Sequence, residues 1–127
     1  MITTINEWKI YESNNILSAD EIINYIKIIS DNPVTDIPDY YLNLIKKSNS
    51  TFKLKRLNIQ SILNSDESLK EYVDANENRY EDEEYEPHWE ELDNPIVIYN
   101  NKVIDGYNRT SVKYNSGETE ILAYVSQ

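Results

Sequence analysis

The sequence predicts an α+β domain, a small mixed β-sheet with short helices and a helical N-terminal section. Three observations carry that reading. Apolar side chains recur at helical spacing through residues 1–50. From Thr51 onward, strand-like runs are interleaved with short helical patterns. No repeat or flexible linker divides the chain. Residues 1–127 are therefore read as one domain, with 1–50 helical and 51–127 the mixed core.

In order along the chain, Thr4 and Glu7 form a capping-box pattern ahead of Ile5, Trp8 and Tyr11 on one helical face. Ser18 and Glu21 repeat the pattern before Ile22, Ile23, Ile26 and Ile29, a broad apolar stripe that ends ahead of Pro33. Pro38 to Lys47 opens with a proline suited to a first helical turn and carries Tyr41, Leu44 and Ile45 at helical spacing. Phe52, Leu54, Leu57 and Ile59 alternate approximately with Lys53, Lys55 and Arg56, the period of a half-buried strand. Asn64, Ser65 and Asp66 then offer N-caps to a helix bearing Leu69, Tyr72 and Val73, which should end near Asn76.

From Glu81 to Asp93 there are eight acidic side chains, no Lys or Arg, and one Pro, so self-repulsion favours a loop. Pro95 to Tyr99 reads as a buried strand, Asn100-Asn101 as a tight hairpin turn, and Lys102 to Asp105 as the returning strand. Gly106 stops it. Asn108 to Asn115 can form a short helix with Val112 inward and Gly117 as its stop, and Glu120 to Val125 is a last strand.

Composition narrows the function classes. Twelve Lys and Arg stand against 23 Asp and Glu, for a net charge of -11, and no basic stripe exists to neutralise a nucleic-acid backbone. Direct DNA binding is not expected. Cysteine is absent, which removes disulfides, thiolate metal sites and cysteine nucleophiles, and a single histidine removes any site that needs two imidazoles. With neither a membrane-length apolar run nor a signal-peptide start, the expected setting is the cytoplasm, a host's cytoplasm if the source is viral.

Chemical information concentrates in the hairpin that runs through Gly106 into a helix start. Glycine lets a ligand approach the backbone closely, first-turn N–H groups are unpaired donors, and the helix dipole favours an anion. Arg109 would add a bidentate fork, and Thr110 follows in the same turn. Asp105 could hold Mg²⁺ on a bound nucleotide or take a proton from an attacking hydroxyl. The bland alternatives are a strand-ending Asp-Gly turn and an Arg109 ion pair on the helix surface.

Val103-Ile104-Asp105-Gly106-Tyr107-Asn108-Arg109 resembles the D-G-x-H-R signature of the ParB/sulfiredoxin-like superfamily. The surrounding order agrees: a strand, a short helix, a polar connection, a Pro-Ile-Val strand, the hairpin, the Gly-x-x-Arg helix start and a final strand. Thr51 to Val125 fits that order, and residues 1–50 lie outside it. The resemblance implies a nucleotide-phosphate site at Gly106 and Arg109, since this loop binds ATP or CTP in sulfiredoxin, ParB and related free-serine kinases. Mg²⁺-dependent phosphoryl transfer or nucleotide hydrolysis would then be the chemistry. Tyr107 stands where sulfiredoxin has Cys, which excludes sulfinic acid repair, and Asn108 replaces the frequent His, so it can hydrogen-bond phosphate but not carry charge. Partition-type DNA binding needs a helix-turn-helix after this domain, whereas the sequence ends at Gln127.

Several residues keep two readings. Tyr107 either stacks on a base or packs half-buried. Arg79 faces the nucleotide pocket, as the Arg-Tyr pair of relatives implies, or tethers acidic neighbours. His88, flanked by Glu86 and Glu90, is a general base, a metal ligand or a solvated loop residue. Ser65 is a pocket residue by position or simply an N-cap. The Glu81 to Asp93 run is a solvated loop, a cation or basic-substrate site, or a mimic of nucleic-acid phosphates. The competing functional class is thus a non-enzymatic acidic protein, such as a phage-encoded DNA-mimic inhibitor, that docks on a basic partner through this run.

Overall fold

The structure is a computed structural model and describes residues 16–29, 39–77 and 93–127. The expected helix at Thr4 to Tyr11, Arg79, His88 and the acidic run up to Leu92 lie outside the described residues.

The element order is β1 (Ile16–Leu17), α1 (Ala19–Ile29), α2 (Asp39–Ser48), β2 (Phe52–Asn58), α3 (Ile59–Ser65), α4 (Glu67–Ala75), β3 (Ile96–Tyr99), β4 (Lys102–Asp105), α5 (Tyr107–Asn115) and β5 (Glu120–Ser126). The strands form one mixed sheet in the order β1-β2-β5-β3-β4. β5 runs antiparallel to β2 and parallel to β3, and the two outer pairs, β1 with β2 and β3 with β4, are antiparallel. The chain is therefore α+β with a mixed sheet. No helix among the described residues is long and apolar enough to cross a membrane.

Side-chain alternation along the inner strands feeds two cores. On one face Ile96, Ile98, Val103, Ile121 and Ala123 pack with Ile59, Ile62 and Leu63 of α3 and Leu69 and Val73 of α4. On the other, Phe52, Leu54, Val97, Tyr99 and Tyr124 pack with Ala19, Ile22 and Ile26 of α1 and Ile45 of α2. Covering both faces explains why β3 is a continuous apolar run, since all four of its residues are buried. An 11-residue helix such as α1 is marginal alone. Ile22 and Ile26 are 0% and 2% exposed, and burial of each contributes about 1.5–3 kcal/mol towards holding α1 on the sheet.

The local signals act as read at several places. The Ser18 amide donates to Glu21 Oε1 at 3.1 Å while the Glu21 amide donates to Ser18 Oγ at 3.2 Å, a reciprocal capping box. Asn100 and Asn101 have φ of 49° and 66°, the left-handed pair that a two-residue hairpin turn requires.

Two expectations are corrected. The strand stops at Asn58 and does not reach Ile59, because the Asn58 side chain accepts the Ser61 amide at 3.0 Å and starts α3. Asn64 and Ser65, expected as N-caps of the following helix, belong to α3 itself, whose Ile59, Ile62 and Leu63 are all buried. Ser65 is not the cap of the next helix. Its hydroxyl donates back to the Ile62 carbonyl at 3.0 Å, and Asp66 caps α4 instead. The two-residue strand β1 had no expectation at all, since a pair of residues has no period to read.

Candidate functional site

The end of β4 is shaped by an irregularity in its pairing. Tyr99 lies opposite Lys102 and Ile98 opposite Val103, but Val97 lies opposite Asp105, so Ile104 is an extra residue on β4. Simple alternation would put Asp105 on the face of Val103. The bulge returns it to the face of Val97, the side covered by α1.

Asp105 there meets Arg109, in the first turn of α5. Arg109 Nη2 donates to Asp105 Oδ2 at 2.6 Å, with only 9% and 7% of the two side chains exposed. Arg109 Nη1 also reaches the Asn94 carbonyl at 3.5 Å. The guanidinium is thus directed inward, onto the strand ends beneath its helix. The pair is neither a surface ion pair nor an exposed phosphate fork. In a dry setting such a pair gains little net stability over apolar packing, yet removal of one member strands the other charge.

Gly106 joins the bulged strand to the helix with φ 116° and ψ 23°. A Cβ on this residue would overlap Ile96 Cγ2, lie 2.6 Å from Ile96 Cβ and come within 3.1 Å of Arg109 Nη2. Both the left-handed backbone and the close approach therefore require glycine. The Gly106 carbonyl accepts the Thr110 amide at 2.9 Å and the Thr110 hydroxyl at 2.8 Å, which fixes the first turn from inside and leaves Thr110 fully buried. Gly106, the N-cap of α5, has no side chain with which to cap it. The amides of that first turn are the donors a helix leaves for an anion.

The remaining expected residues are distributed on either side. Asn108 is exposed on the first turn. Tyr107 is half-buried and meets the Tyr72 ring edge-on at 5.4 Å, so it braces α5 against α4. Partial burial raises its pKa, the Asp66 charge adds to the rise, and a hydrogen bond with Ser68 opposes it. Ser65 closes α3, as described above.

Tyr25 completes the site and no motif announced it. Its hydroxyl donates to the Pro95 carbonyl at 2.5 Å, and its ring stands edge-on to Tyr124 at 5.0 Å. Burial raises its pKa strongly, the Tyr124 and Asp105 charges reinforce the rise, and the neighbouring Arg109 opposes it by charge and by a hydrogen bond. The signal that could have found it is a tyrosine between Ile22 and Ile26 on the apolar stripe of α1, where a buried hydroxyl needs a partner.

For a metal, the arrangement at Asp105 is a poor fit. Its carboxylate is buried and engaged by a guanidinium, and among the described residues no three His, Cys, Asp or Glu side chains cluster to hold an ion. Lys113, the nearest basic residue further along α5, is bridged to Asp93 at 3.3 Å and Glu118 at 3.1 Å.

No family model matches the chain, and no curated protein or solved structure matches it.

Proposed function

We propose that the protein binds a nucleotide through its phosphates at the Gly106 turn, on a fold of the ParB/sulfiredoxin-like type. The order β2, α3, α4, β3, β4, α5, β5 supports the fold assignment, because it follows the order that the motif resemblance implies except that two helices, α3 and α4, stand where the resemblance has one. The observation that carries the function is Gly106: a left-handed glycine, closed in by Ile96, at the side-chain-uncapped start of a nine-residue helix inside the Asp-Gly-x-x-Arg motif.

The phosphate contacts in this reading come from the first-turn amides and from Asn108. Arg109 and Asp105 form the neutral support beneath them, and Asp105 takes no metal. Mg²⁺ would arrive on the nucleotide and lower its charge, which matters for approach to a chain of net charge -11. ATP and CTP are the candidates the motif suggests.

Calorimetric melting of the full chain in the presence of ATP, CTP or GTP, with and without Mg²⁺, tests this. A nucleotide at one hundred times its Kd should stabilise the fold by about 2.7 kcal/mol. Asn108→Asp is the informative variant: a carboxylate near a helix N-terminus adds about 0.3–1 kcal/mol to helix stability but repels phosphate. Unchanged or higher stability with weakened nucleotide response is expected. No stabilisation by any triphosphate at millimolar concentration overturns the proposal, and salt-sensitive capture of a basic protein without a nucleotide effect would favour the acidic interaction class.

A further inference from the structure

We propose that Tyr25 is a positioning residue for the Gly106 turn, so that the helical N-terminal section is part of the phosphate site and not an appendage to it. The inference rests on the nucleotide reading for its ligand and on geometry for everything else.

The hydroxyl of Tyr25 holds the Pro95 carbonyl at 2.5 Å, one residue before Ile96. Ile96 is the wall against which Gly106 is packed so closely that no Cβ fits. Arg109, from the helix that Gly106 begins, reaches the Asn94 carbonyl at 3.5 Å and Asp105 at 2.6 Å, and its charge acts on the Tyr25 hydroxyl. One side chain of α1 and one of α5 therefore hold adjacent carbonyls, Pro95 and Asn94, at the start of β3, where Ile96 packs against the glycine. Pro95 lies just before β3, and its carbonyl accepts from α1 through the Tyr25 hydroxyl. The Tyr25 ring is in turn set edge-on against Tyr124 of the central strand, which fixes where the hydroxyl points.

A structural brace and a positioning residue differ in what their loss moves. Loss of a brace lowers global stability and accelerates amide exchange throughout the cooperative unit. Loss of a positioning contact loosens Tyr107, Asn108 and Arg109 selectively and weakens the ligand that their amides bind.

The test uses the full chain and the variant Tyr25→Phe, which keeps the ring against Tyr124, with the exposed Tyr40→Phe as control. Native-state amide exchange is expected to be faster at residues 107–109 of Tyr25→Phe than its change in global stability accounts for. ATP and CTP titrations should show affinity weakened by about three- to tenfold, the span of one hydrogen bond. In the wild-type protein, saturating nucleotide should shift the Tyr25 ring resonances, a measurement that does not depend on any variant folding. Uniform acceleration of exchange, unchanged affinity, or nucleotide binding that leaves the Tyr25 ring unmoved overturns the proposal. If wild type binds no nucleotide, the nucleotide reading fails by itself, and the exchange pattern at residues 107–109 alone decides whether Tyr25 positions the turn.

Discussion

Asp66 Oδ2 accepts the backbone N–H of Val103 at 2.9 Å, while its Oδ1 accepts the Leu69 amide at 3.2 Å. One buried carboxylate, 4% exposed, thus caps α4 and closes part of the outer edge of β4. An edge strand with unpaired donors invites pairing with another chain, and here the helix cap blocks it. The same residue therefore connects helix initiation to the strand that leads into Gly106.

Asp66→Ala should be among the most damaging polar substitutions in this protein. Loss of the cap costs about 0.5–2 kcal/mol, and the stranded Val103 donor about 1–3 kcal/mol more. Asp66→Asn keeps one acceptor for two donors and should lose roughly half as much. Urea denaturation gives the stabilities, and amide exchange at Val103 should rise well above the global change in both variants.

Arg109→Ala leaves Asp105 buried without its partner, for an expected loss of about 3–5 kcal/mol. The variant is therefore unsuitable as a clean test of ligand binding. The double variant Asp105→Ala with Arg109→Ala should be less damaged than the two single losses added together. Additive losses would mean that the 2.6 Å pair is energetically idle.

Gly106→Ala and Gly117→Ala separate backbone strain from crowding. Both glycines have positive φ, 116° and 90°, but a Cβ at Gly117 meets nothing within 4 Å, whereas at Gly106 it overlaps Ile96. Gly117→Ala should cost about 1–2 kcal/mol from the left-handed backbone alone. Gly106→Ala should cost about 1–3 kcal/mol more. Equal melting temperatures for the two variants would refute the close packing at Gly106.

Alkaline titration should report on Tyr25. Its folded pKa lies above the unfolded value of about 10, so the folded state holds the phenolic proton more tightly. The stability linked to that proton is fully present below about pH 10 and is lost as pH rises through about 10 towards the folded value, with a slope of up to about 1.4 kcal/mol per pH unit. Tyr25→Phe lacks this proton. Denaturation midpoints of the wild type should fall faster than those of the variant above about pH 10, and parallel curves would contradict the burial of the hydroxyl.

What was legible in the sequence follows from interactions that span a few residues. The Ser18/Glu21 box, the Asn100-Asn101 turn and the Gly106 stop are each decided by local backbone chemistry, and each is found where local chemistry puts it. The apolar stripe of Ile22 and Ile26 and the uninterrupted run Ile96 to Tyr99 likewise encode burial in their spacing, so the α+β class was readable before any contact was known. At Asn58 and Ile59 local reading failed because two adjacent signals compete. A strand alternation runs into a cap followed by Ile59, Ile62 and Leu63 at helical spacing, and packing of that triad against the sheet settles the boundary in favour of the helix.

The composition of the candidate site was not local in the same way. The motif named Asp105, Gly106 and Arg109, but which way Arg109 points depends on a bulge that adds Ile104 to β4 and turns Asp105 towards α1. A one-residue shift in pairing leaves no mark on the sequence, yet it reverses the face on which a side chain lies. Tyr25 is 70 residues from the Pro95 carbonyl it holds, and Asp66 is 37 residues from the Val103 amide it accepts. Periodicity tells that such a side chain is buried. Only the docking of α1 and α4 on opposite faces of one sheet decides which polar group it must satisfy, because a buried donor or acceptor is paired by whatever the fold brings within reach.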